Sequence, residues 1–85
     1  MRTENELRTA MADAGYDQYF CDDIAYLVAE GCDCGELCQR ATDTVAEALG
    51  IRKPSESEDW DGTEYGLANE ILCDMVAAGM ADFGC

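Results

Sequence analysis

The chain has 85 residues, nineteen Asp and Glu against five Lys and Arg, no His, and a net charge of −14. Its length suits a single domain spanning residues 1–85 with one modest core. The charge argues against direct binding to nucleic acid or to an anionic membrane, and for attraction to basic protein surfaces. Residues 1–53 hold eleven acids and all five bases, whereas residues 54–85 hold eight acids and no base. An apolar content of 48% is ordinary for a folded domain and argues against wholesale disorder. No apolar run approaches the ~20 residues that cross a bilayer. The opening residues, Met1 to Glu6, lack an apolar signal core, so the expected compartment is the cytoplasm.

Periodicity and end signals predict four helices and no strand, hence an all-α, small compact four-helix bundle. Thr3 and Glu6 have capping-box spacing, and Leu7, Ala10, Met11 and Ala14 follow on one face. The first helix is therefore expected at about 4–14, closed by Gly15. Asp17 can cap a second, at about 17–30, with Phe20, Cys21, Ile24, Leu27 and Val28 inward. Asp33 and Glu36 open a third at about 34–49, whose stripe is Cys34, Leu37, Cys38, Ala41, Val45, Ala48 and Leu49. Pro54 and a mixture of Ser and acids mark an acidic loop at about 51–62. The fourth helix is expected at about 63–83, with Tyr65, Ala68, Leu72, Met75, Val76, Gly79, Met80 and Phe83 on its apolar face and Ile71 at the edge.

Catalytic groups are scarce. Without His there is no imidazole base and no Ser-His-Asp triad. Ser55 and Ser57 sit among carboxylates that disfavour an alkoxide, and no glycine-rich phosphate cradle occurs. The expectation is a non-enzyme with no catalytic residue and no cofactor. A small acidic helical domain invites comparison with acyl carrier proteins, but the Asp-Ser-Leu tripeptide that carries their prosthetic group is missing.

Cys32, Cys34 and Cys38 form a C-x-C-x3-C cluster, and Cys21, Cys73 and Cys85 lie elsewhere. One reading is a thiolate site for zinc or another soft metal. The favoured reading is packing, because Cys21, Cys34 and Cys38 fall on apolar stripes and free Cys behaves as a small hydrophobe. A disulfide framework is disfavoured in a reduced compartment. Ser57 to Thr63 superficially resembles the start of an EF-hand loop, but Ala68 stands where the bidentate Glu belongs and Glu64 where an aliphatic belongs. No metal ligand is therefore assigned.

Two acidic surfaces remain. Tyr19, Asp22, Asp23, Tyr26 and Glu30 share the outward arc of the second helix. Glu56, Glu58, Asp59, Trp60, Asp61 and Glu64 belong to the loop and its exit. Tyrosine among carboxylates suits a basic surface, its ring covering Lys and Arg stems while the acids pair with their heads. Trp60 is either an anchor of the same kind or folded back on the bundle. Carboxylates three or four apart on a helix are ~5–6 Å apart, and neighbouring helices are ~8–10 Å apart. Such a field can imitate duplex phosphates for a protein that reads them with Lys and Arg. By analogy to a class, the expectation is an acidic DNA mimic of the kind phages use. It would inhibit a defence nuclease or a CRISPR or restriction complex by filling its nucleic-acid groove. The alternatives are an acidic adaptor for a basic protein unrelated to nucleic acid, and a Cys-based metal module. The partner is then a basic protein surface, with no nucleic acid or membrane bound directly, and the chain a monomer or weak homodimer.

Overall fold

A computed structural model describes residues 1–24 and 26–79. Its helices are α1 (Glu4–Asp13), α2 (Gln18–Asp23), α3 (Tyr26–Ala29), α4 (Cys34–Leu49) and α5 (Glu64–Gly79). No strand occurs among the described residues. α2 and α3 share one position in the bundle, so the architecture is the expected small four-helix bundle. The expected continuation of the last helix through 80–83, with Met80 and Phe83, lies outside the described residues.

The helix starts follow their local chemistry. Thr3 accepts from the Glu6 N–H at 3.2 Å, and the Glu6 carboxylate accepts from the Thr3 N–H at 3.2 Å, which completes a capping box. Asp17 accepts from the Tyr19 N–H and Asp33 from the Glu36 N–H. Thr63 starts α5 by accepting from the Gly66 N–H at 3.0 Å. α4 ends at Gly50, whose φ of 69° allows the Ile51 N–H to reach back to the Ala46 carbonyl and tucks Ile51 into the core.

The single helix expected at 17–30 needs correction: it is divided into α2 and α3. α2 finishes on Asp22 and Asp23 with no basic residue in its last turn, so two negative charges meet the negative end of the helix dipole. Aspartate is also a poor helix former. Ile24 leaves helical geometry at φ −93°, ψ 1°, and its carbonyl accepts from the Leu27 N–H in a tighter turn. α3 then closes at Gly31, where the Cys32 N–H bonds back to the Leu27 carbonyl.

α5 packs against α4, α2 and α1, while α3 rests on α4 alone among the larger contacts. The core comprises Leu7 and Met11 of α1, Cys21 of α2, Leu37, Cys38, Ala41, Val45 and Ala46 of α4, Ile51, and Tyr65, Ala68, Ile71, Leu72 and Val76 of α5. Ile71, expected at an edge, is fully buried, whereas Ala48 is exposed and Cys34 and Met75 are half-buried. Phe20, Ile24, Leu27 and Val28 are also half-buried, so the α2–α3 segment is seated less deeply than its neighbours. Principal extents of 33 × 31 × 17 Å describe a slab about two helices thick.

Thr42 is the one buried polar residue among the described core positions. Its hydroxyl donates to the Cys38 carbonyl at 2.7 Å and accepts from Asn69 Nδ2 at 3.1 Å. Asn69 Oδ1 in turn accepts from the Cys73 thiol at 3.7 Å. A polar seam thus joins α4 to α5, with no orphaned buried side-chain N or O among the described residues.

Candidate functional site: an acidic binding surface

Each of the five basic residues is paired within the chain. Arg2 meets Glu64 at 2.9 Å, and Arg8 meets Glu4 at 3.1 Å and Asp74 at 4.0 Å. Arg40 meets Glu36 at 3.1 Å, Arg52 meets Glu58, and Lys53 meets Glu47 at 3.0 Å. Apart from the part-buried Arg2–Glu64 pair, these are surface pairs that contribute little to stability, at ~0–1 kcal/mol each. Their importance is to the surface field, because no basic side chain is left over to offset the other carboxylates. Asp22, Asp23, Glu30, Glu56, Asp59 and Asp61 take part in no ion pair among the described residues, and all six are exposed.

The structure divides the residues singled out from the sequence. On α2 and α3, Tyr19 is 78% exposed and Tyr26 58% exposed, the largest exposed rings among the described residues. Asp22, Asp23 and Glu30 accompany them on the surface, and Asp22 accepts from the Gln18 amide at 3.2 Å. All five residues are exposed, on either side of the break between α2 and α3.

The loop behaves differently. Trp60 is half-buried and meets Tyr65 edge-on, with ring centroids 5.0 Å apart, so it belongs to the bundle wall. Glu64 receives both the Arg2 backbone N–H, at 2.8 Å, and its guanidinium, and ties the N-terminus to α5. Glu58 is held by Arg52, which keeps its carboxyl below the usual range. Asp59 accepts from the Asp61 N–H at 3.0 Å in a local turn. Glu56, Asp59 and Asp61 are the loop carboxylates left facing solvent, while Glu58, Trp60 and Glu64 hold the loop in place.

The cysteines play separate parts. Cys34 is disulfide-bonded, a correction both to the packing role that its place on an apolar stripe implies and to the expectation against disulfides. Cys21, Cys32, Cys38 and Cys73 are free thiols. Burial pushes the Cys21 thiol up to about 11, and burial together with the neighbouring Cys73 pushes Cys38 up to about 12. These are poor nucleophiles at neutral pH, as packing residues should be. No group of three or more Cys, Asp or Glu among the described residues is arranged to hold a metal ion.

Two arrangements depend on residues far apart in the chain and leave no mark in its periodicity. Tyr65 donates to Asp43 at 2.6 Å, and burial with that carboxylate raises its pKa. A groove of about 350 Å³ also opens between the α2–α3 segment and α4, lined by Phe20, Ile24, Leu27, Arg40, Ala41, Asp43 and Thr44. No described helix is long and apolar enough to cross a membrane. The sequence matches no family model, no curated protein and no solved structure.

Proposed function

We propose that the chain is a non-enzymatic acidic binding protein. It docks on a basic protein surface and, as a DNA mimic, inhibits a nuclease or interference complex by occupying its nucleic-acid groove. The observation that carries this reading is the commitment of every Lys and Arg to an intramolecular partner. What remains for a partner is a surface of exposed carboxylates, Asp22, Asp23 and Glu30 on the α2–α3 side and Glu56, Asp59 and Asp61 in the loop, which is what a groove lined with Lys and Arg attracts. The exposed tyrosines add the apolar-plus-polar contact that free phosphate lacks.

The test is capture followed by competition. The protein is immobilised in host and prey lysates, and retained proteins are eluted by graded salt or by excess duplex DNA. Each retained protein is then assayed for DNA binding with and without this chain. A basic protein released by DNA, whose own DNA binding is blocked, supports the proposal. A basic partner that ignores duplex DNA refutes mimicry and leaves the adaptor role. The absence of any salt-sensitive partner refutes both.

A further inference from the structure

We infer that the groove between α2–α3 and α4 receives an apolar side chain from a basic amphipathic helix of the partner, so that recognition is not by charge alone. This rests on the acidic-surface reading above and names the chemistry of its partner. Phe20, Ile24, Leu27 and Ala41 supply the apolar part of the lining, and the volume of about 350 Å³ suits one or two side chains. The groove lies where Phe20 of α2, the non-helical Ile24 and the short α3 face α4. The half-buried Ile24 and Leu27 are therefore left with one side uncovered.

Charge complementarity decides what covers it. Residues 16–49, which build both walls, contain eight acids and one base. That base, Arg40, lies on the groove lining and is already paired with Glu36 at 3.1 Å. A second copy of this chain would bring its own carboxylates against these and be repelled. A cationic segment is drawn in by the net negative charge of the chain. A helix presents an apolar residue flanked by cations three and four positions away, which fits an apolar slot between acidic helices.

The probes are two fluorescent 15-residue helical peptides of equal charge, one built from Lys and Leu and the other from Lys and Ala. Alanine keeps both helicity and charge, so the pair differ only in the apolar payload. Affinities are read by anisotropy at physiological salt. The Lys/Leu peptide is expected to bind at least tenfold more tightly than the Lys/Ala peptide. Thr44→Arg, at the exposed groove rim, should abolish that preference. Thr9→Arg, an equal charge change at an exposed site on α1, should preserve it. Thr44 is exposed and its hydroxyl donates to the Arg40 carbonyl of its own helix, so the change leaves the core intact. Equal affinity for the two peptides, or a preference that survives Thr44→Arg, overturns the groove inference and leaves the acidic-surface reading standing. Binding of neither peptide overturns both.

Discussion

Replacing Gly66 by Ala sets helix propensity against packing, and the two predict opposite signs. Propensity alone favours Gly66→Ala by up to ~1 kcal/mol, because glycine pays the larger backbone entropy in a helix. The structure predicts the reverse. A Cβ on Gly66 would lie 2.9 Å from the Trp60 carbonyl carbon and closer still to its oxygen. Both are backbone atoms, so no side chain can swing away, and either the loop or the first turn of α5 must move. Overpacking of this kind costs ~1–3 kcal/mol. Movement also strains two bonds of 3.0 Å, from the Gly66 N–H to Thr63 Oγ1 and from the Thr63 N–H to the Trp60 carbonyl, worth ~0.5–1.5 kcal/mol each. The net expectation is a loss of about 2 kcal/mol, which for a domain of this size lowers Tm by roughly 8–16 °C. Urea unfolding followed by circular dichroism measures it. Gly35→Ala is the control, since its Cβ would meet Asp33 Oδ1 at an ordinary 3.4 Å; it should be neutral or stabilising. A Gly66→Ala variant as stable as the parent would show that the Trp60 carbonyl does not abut α5.

Other perturbations test other parts of the structure. Thr42→Val keeps the shape but removes the acceptor for the Asn69 amide, and should cost about 1–3 kcal/mol in chemical denaturation. Adding Asn69→Leu should recover part of that loss, and failure to do so would mean the seam is not the cause. Asp22→Lys with Asp23→Lys should weaken capture of the basic partner. It should also hold or raise Tm, because it places cations at the C-terminal end of α2, worth ~0.3–1 kcal/mol each. A fall in Tm would contradict the dipole account of the α2–α3 break. Alkaline stability provides a pH test: Cys21, Cys38 and Tyr65 all have folded pKa values raised above their unfolded ones. The neutral forms stabilise the fold fully below the unfolded values, so stability should fall as pH climbs from about 9 toward 11 and 12. Cys38→Ala should flatten that decline, and an unchanged slope would reject the assignment.

Features that depend on a few neighbouring residues are legible in the sequence. The Thr3/Glu6 box, the Asp17 and Asp33 caps and the 34–49 span of α4 all rest on contacts within one helical turn. The break after Asp23 is hidden because Phe20, Ile24 and Leu27 keep helical period across it, and period says nothing about charge at a helix end. Trp60 has no assignable place from the loop alone, since its position depends on Tyr65 and on the close approach that Gly66 permits. Thr42 does carry a signal, as a polar residue between Cys38 and Val45 on an apolar stripe, but its partner is 27 positions away. Of the acidic site, exposure of Tyr19 and Tyr26 follows from their arc. The pairing of Arg2 with Glu64 spans 62 positions and arises only from tertiary structure.

The Thr42–Asn69–Cys73 seam has a consequence for alignment. α4 and α5 each run 16 residues and meet largely through small and aliphatic side chains, a contact that one-turn slippage would leave nearly as oily as before. Hydrophobic area alone barely distinguishes such registers. Slippage would strand the fully buried Thr42 hydroxyl opposite carbon, a penalty of ~1–3 kcal/mol. The seam acts as a notch that admits a single register. The same notch sets where Tyr65 reaches Asp43 and where Thr63 and Trp60 turn into the loop. The placement of the loop carboxylates relative to α4 is therefore set by three neutral side chains, Thr42, Asn69 and Cys73, rather than by the charges themselves.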